Sequence, residues 1–182
     1  MTKVPAKPAS AAVAAFLDKV KSVPAVRPTG GAGRLMFAMD ATASREPTWD
    51  RACRLQSEMF SATQGIGALE IQLVWYRGLG EFDASPWVAN SAELVRRMTA
   101  VQCHAGETQI ARVLEHAIAE TRRKKVNAVV FVGDAVEENV DRLAKLAGDL
   151  GLLGVPVFVF HEGGEPVARQ CLEEIARLSG GA

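Results

Sequence analysis

Cysteine and histidine are scarce in this chain, three of each in 182 residues. Cys53, Cys103 and Cys171 are far apart, odd in number, and never fall into a Cys-x-x-Cys or mixed Cys/His spacing. That excludes a disulfide framework and a zinc site on spacing, and the three read as free thiols of a cytoplasmic protein. Excess charge of either sign is lacking too. Twenty-one Lys and Arg face 21 Asp and Glu, so no global field recruits nucleic acid or an anionic membrane. No run nears the roughly 18 uninterrupted apolar residues of a membrane span. At the N-terminus Asp18 and Lys19 directly follow a short apolar stretch and no small-x-small cleavage site is evident, so it does not read as a secretion signal and the chain is expected to be soluble. Phosphate-binding glycine loops are missing: GIGALE precedes a strand instead of opening a helix, and no serine stands in a nucleophile-elbow context.

What is present is the composition of one globular domain, 48% hydrophobic and 23% charged. Residues 1–33 predict an amphipathic helix, capped by Ser10 with Val13, Phe16, Leu17 and Val20 at helical spacing, and then a Pro/Gly linker. Residues 34–182 predict the domain proper, in which strands and helices take turns. A strand from Arg34 to Asp40 is followed by a helix around Pro47 to Phe60, a strand from Leu69 to Tyr76, and a Gly/Asp-rich turn region. A helix from about Ser91 to Thr99 precedes a longer one after Thr108, with Ile110, Val113, Leu114, Ala117 and Ile118 on one face. The strand AVVFVGD, a helix from about Glu137 to Leu150, the strand VPVFVF and a helix from about Glu165 to Leu178 complete the series. This order implies an α/β fold, a doubly wound and mostly parallel sheet flanked by helices.

In such a sheet ligands bind beyond the carboxyl ends of the strands, where successive connections run in opposite directions. Asp40 ends the first strand and Asp134 the penultimate one, so both acids are expected in one crevice. Thr42 and Ser44 leave the first strand at alternate positions, and Thr108 stands just before the long helix whose start belongs to the same edge. Two carboxylates and three hydroxyls make an all-oxygen donor set. It suits a hard cation, Mg²⁺ or Mn²⁺, better than zinc.

Three segments, DATAS, the isolated Thr108 and the GD of FVGDAVEE, together resemble the metal-ion-dependent adhesion site of von Willebrand factor A (VWA) domains. The resemblance covers roughly Arg34 to Ala182 and rests on the order and spacing of all three segments. It matches Asp40, Thr42 and Ser44 to the family's D-x-S-x-S, Thr108 to its threonine and Asp134 to its distal aspartate. It implies that the hydroxyls bind the metal directly, that the acids often bind through water, and that a Glu or Asp of a protein partner completes the shell. The family pattern also implies that ARLSGGA leads toward a last strand and helix lacking from this chain. Two departures stand out: Thr42 replaces a serine, keeping the hydroxyl but stiffening the side chain, and Glu107 stands where glycine is common, adding a third carboxylate that could raise affinity or occupy the open position.

Simpler roles exist for each residue taken singly: Asp134 or Thr108 as a helix cap, Ser44 as a turn residue. A VWA scaffold whose site no longer binds metal is the corresponding alternative. His161 and Glu162 follow VPVFVF at the same edge; a hydrogen-bonded loop role is the expectation for His161. Trp49 and Trp87 are expected to pack, and the run Arg122–Lys125 to complement a helix C-terminus. GDAVEENVD is also similar to the last motif of haloacid-dehalogenase-type phosphatases. Those enzymes use an acid two residues after the nucleophile, where this chain has Thr42, and a lysine near it. Lys125 is nine residues of nearly extended chain from Asp134, about 30 Å at roughly 3.3 Å per residue, at the opposite edge. No enzyme activity is expected.

Overall fold

The computed structural model describes residues 32–63 and 69–182, together with Ala14 and Asp18, which are helical and exposed. The rest of the expected N-terminal helix and its linker lies outside the described residues. Five strands, β1 (Gly33–Asp40), β2 (Leu69–Arg77), β3 (Glu81–Ala84), β4 (Ala128–Gly133) and β5 (Val157–His161), form one sheet in the order β3-β2-β1-β4-β5. β1 pairs in parallel with both β2 and β4, β4 with β5 likewise, and only β3 is antiparallel. The chain therefore leaves β1 in one direction and returns to its other side at β4, which puts the switch point between these two strands.

Alternation along β1 sorts its side chains between two cores. Leu35, Phe37 and Met39 face the helices α1 (Trp49–Thr63) and α2 (Ser91–Thr99). Met36 and Ala38 face α3 (Ile110–Arg123), α4 (Val140–Leu152) and α5 (Pro166–Ser179). With a period of two, Asp40 continues the second series, on the side where the loop before α3 arrives. The amphipathic helices obey the same logic: Ile110, Val113, Leu114, Ala117 and Ile118 of α3 are all buried.

Three details differ from the sequence expectation. A short edge strand, β3, occupies part of the expected turn region. Its alternating pattern turns Phe82 and Ala84 toward the core, but four residues are too few to stand out beside the Gly78 and Gly80 turn, both at positive φ. The helix around Pro47 begins as a 3-10 helix, Ala43–Thr48, and becomes α-helical at Trp49. α4 starts at Val140, capped by Asn139, because Glu137 and Glu138 turn their carboxylates toward the start of α3. Trp49 and Trp87 pack partly buried against the two cores, as expected.

The β2–β3 turn and the loop before α3 are in close contact. The Glu107 N–H donates to the Gly78 carbonyl at 3.2 Å, and a Cβ added at Gly106 would collide with that same carbonyl. Gly106→Ala should accordingly destabilise the domain by about 1–3 kcal/mol, the usual cost of overpacking; a chemical-denaturation midpoint unchanged from wild type would contradict this close approach.

Candidate functional site

β1 delivers Asp40 to the switch point with no exposed surface at all, and Thr42 follows almost as deeply buried. Asp40 is held by its own loop. Its Oδ1 accepts the Thr42 N–H at 2.8 Å and the Thr42 hydroxyl at 2.6 Å, and Thr42 Oγ1 lies 3.2 Å from Ser44 Oγ. The alternate spacing of Asp40, Thr42 and Ser44 thus becomes a continuous chain of oxygens leading from the sheet to the exposed Ser44. The loop is anchored to its neighbours: Ala41 N–H donates to the Tyr76 carbonyl at 2.9 Å, and His104 N–H to the Ala41 carbonyl at 3.0 Å.

Asp134 enters from β4, next to Asp40. Gly133 permits the approach, since a Cβ there would lie 2.8 Å from the Phe131 ring and 3.5 Å from Asp40 Cβ. Burial raises the Asp40 carboxyl above its ordinary range, the Thr42 hydrogen bonds oppose this, and the negative charge of Asp134 adds to it. Burial and the nearby Asp40 carboxylate likewise push the Tyr76 phenol well above its ordinary range. Among the described residues Asp40 Oδ2 and Asp134 Oδ1 are buried without a well-formed hydrogen bond, although the buried Tyr76 hydroxyl approaches the Asp40 carboxyl. Buried carboxylate oxygens that take no such bond are costly unless something positive or hydrogen-bonding meets them.

Thr108 reaches this edge by a different route. Its N–H donates to Glu137 Oε2 at 2.9 Å, and its hydroxyl accepts the Glu137 N–H at 3.1 Å. One residue further on, Glu138 accepts the N–H of Ile110 at 2.6 Å and of Ala111 at 2.9 Å. Gln109, in the cap position of α3, makes no side-chain capping bond, so Glu138 caps that helix from a distance of 27–28 residues in sequence. The structure therefore joins Asp40, Thr42 and Ser44 directly and sets Asp134 beside them. Thr108 is tied to the loop that follows Asp134 and is not bonded to the Asp40 series. Neither Asp134 nor Thr108 is a helix cap, since Asn139 caps α4 and Glu138 caps α3.

Sequence reading missed Arg45. This side chain is wholly buried beneath the 3-10 helix, donates to Thr48 Oγ1 at 2.6 Å, and forms a 2.7 Å ion pair with Glu162 from the loop after β5. An arginine beside a serine in a polar loop carries no signal of burial. Only the fold, which sets that loop under the end of β5, reveals it. His161 is hydrogen-bonded as expected, with Nε2 3.2 Å from the Asp134 carbonyl, but it is the last residue of β5 and not a loop residue. Glu107 is exposed. Lys125 donates to the Gly154 carbonyl at 3.0 Å and to that of Leu153, far from the acids. All three cysteines are free. Burial foremost pushes the Cys53 and Cys103 thiols up to about 11, so both are protonated near neutral pH. Among the described residues no three His, Cys, Asp or Glu side chains form a metal-binding group; the crevice offers two acids and hydroxyls instead.

No protein-family model matches the chain, and no curated protein matches it in sequence. Solved structures do match in shape. The VWA domain of SpRpn10 superposes with a TM-score of 0.66 at 11% identity, over 82% of each chain. The pilus adhesin SpaC from Lactobacillus rhamnosus GG gives 0.64 at 9% identity, over 81% of this chain and 27% of that one. The manganese-loaded TRAP protein of Plasmodium vivax gives 0.59 at 14% identity, over 80% and 63% respectively. This chain therefore spans about a quarter of the adhesin and less than two thirds of TRAP. The likeness shows the fold: a VWA-type sheet and its helices. Among the described residues no helix is long and apolar enough to cross a membrane.

Two variants test how the crevice is held. Glu162→Ala leaves the Arg45 charge buried and unpaired, and should cost about 3–5 kcal/mol in chemical denaturation; a cost near zero would refute the burial of that pair. Glu138→Ala strips the first turn of α3 of its acceptor and should cost about 1–3 kcal/mol, with amide exchange at Ile110 and Ala111 accelerated more than in the middle of α3. Uniform acceleration along the helix would speak against a local cap.

Proposed function

We propose that this VWA-fold domain is a protein-binding module whose crevice takes Mg²⁺ or Mn²⁺ and, through the cation, a Glu or Asp of a protein partner. The observation that carries this reading is the pair of buried oxygens without a well-formed hydrogen bond, Asp40 Oδ2 and Asp134 Oδ1, at the switch point. A cation there would supply the missing counter-charge and reverse the effect of burial on Asp40. Thr42, Ser44 and Thr108 would contribute hydroxyl oxygens, with Asp40 and Asp134 in support. A hydroxyl has two acceptor lone pairs besides its proton. Thr42 can therefore donate to Asp40 and still bind a cation, and Thr108 can accept from Glu137 and still bind one. The donors are all hard oxygens, the set preferred by Mg²⁺ and Mn²⁺.

The manganese-loaded state of the similarly folded TRAP protein is in keeping with this assignment. Binding without chemistry is the reading: a cation held in the crevice would leave an exchangeable position for a partner's carboxylate. Cytoplasmic residence rests on the three protonated, unpaired thiols. The pilus adhesin among the structural neighbours makes an extracellular setting the alternative.

Titration of metal-stripped protein with Mg²⁺ and Mn²⁺ should show one saturable site by calorimetry. At a hundredfold excess over Kd the gain of about 2.7 kcal/mol should raise Tm by roughly 5–11 °C for a chain of this size. Asp134→Ala should remove both effects while retaining the circular-dichroism spectrum of the wild type. Metal affinity undiminished in that variant, or no saturable binding by the wild type, would overturn the assignment.

A further inference from the structure

The crevice opens on an edge whose charge differs from that of the molecule as a whole. The loops at the carboxyl ends of the strands are 41–48, 78–80, 100–109, 134–139 and 162–165. Glu46, Glu107, Glu137 and Glu165 are exposed in these loops and Asp134 is half-buried; the loops' own Lys and Arg amount to the buried Arg45, paired with Glu162, while the Arg77 and Arg112 guanidiniums reach the Gln102 and Gly80 carbonyls from the adjoining elements. At the opposite edge Arg122, Arg123, Lys124 and Lys125 are all exposed. Among the described residues the loops around the crevice therefore hold more carboxylates than cations, in a chain of zero net charge.

Among the exposed apolar side chains at this edge, which include Val140 and Val167 in the first turns of α4 and α5, one lies within a loop of the rim. Leu79, at the tip of the β2–β3 turn, is 84% exposed, and singly exposed leucines are ordinary. This one is distinguished by how firmly it is presented. The turn is fixed by Glu107 N–H on the Gly78 carbonyl, by Gln109 Nε2 on the carbonyls of Arg77 and Glu81, and by Arg112 on the Gly80 carbonyl at 2.8 Å. Through the Gly78–Glu107 bond, Leu79 Cα is within roughly 11 Å of Thr108 Cα, given standard backbone dimensions. A rigid leucine so close to the crevice is placed to meet whatever the crevice holds.

Building on the proposed function, we infer that this rim is the docking surface for a cationic protein segment. One carboxylate of the segment enters the crevice, Lys or Arg residues flank that carboxylate against the acidic loops, and an aliphatic or aromatic side chain seats on Leu79. The occupant follows from charge complementarity. A carboxylate amid further acids would be repelled by Glu46, Glu107 and Glu137, while one amid cations is drawn in and oriented. The buried oxygens of Asp40 and Asp134 that lack a well-formed hydrogen bond mark where the carboxylate and its bridging cation converge.

A random peptide display library panned in Mg²⁺ on three proteins, with an EDTA control, tests this. On wild type, Asp or Glu flanked by Lys or Arg, with an aliphatic or aromatic residue at a fixed offset, should be enriched at least tenfold over EDTA. Leu79→Ser should lose the apolar preference alone. The double variant Glu46→Gln with Glu107→Gln should lose most of the Lys and Arg preference and flatten the salt dependence of a selected peptide's affinity. Acidic enrichment lacking either flanking preference, or with either preference unchanged in its variant, would overturn the docking surface and leave the metal-bridged reading intact. Absence of any Mg²⁺-dependent acidic enrichment would overturn both.

Discussion

A carboxylate buried at the end of a central strand is the constraint around which the top of this molecule is organised. Taking Asp40 out of water disfavours its charged form, and nearby Asp134 makes matters worse. A protein that only needed to close its core would place an apolar residue there. Here the neighbouring loop folds back so that Thr42 gives both its N–H and its hydroxyl to one oxygen, while the other oxygen takes no bond from that loop. The parallel register on both sides of β1 makes this arrangement possible, because it brings two strand ends and their loops to one point from opposite directions.

Around that point the loops are cross-linked by charged side chains that come from distant parts of the chain. Glu137 and Glu138 join the loop after β4 to the loop before α3 and to the first turn of that helix. Arg45 and Glu162 join the loop after β1 to the loop after β5. The candidate ligating groups thus sit on segments that are locked to one another, the kind of preorganisation that lets a small site bind without a large ordering cost.

Much of this was legible in the sequence, and the boundary of what was legible is physical. Period-two and period-3.6 apolar patterns are properties of each segment alone, so β1, β2, β4, β5 and the helices could be read directly, as could the crevice between Asp40 and Asp134 once the doubly wound order was assumed. β3 escaped because a four-residue edge strand buries only Phe82 and Ala84 on one side and lies next to a glycine turn. The burial of Arg45 and the distant capping by Glu138 could not be read from local pattern. Each depends on a partner more than twenty-five residues away, and neither residue type nor spacing announces it. Thr108 was placed at the right edge but for an incomplete reason: its own hydrogen bonds run to Glu137, which no short motif includes.

The capping of α3 by Glu138 has a consequence for what holds the crevice together. A helix whose first amides are satisfied by its own preceding residue carries its cap within one segment of chain. α3 lacks that local acceptor, and its opening turn is completed by the segment after β4. Secondary structure at this position is thereby subordinate to long-range assembly. The threonine just before the helix is bonded to the segment that follows Asp134, so the two halves of the crevice are tied to each other and neither is set by its own stretch of chain alone.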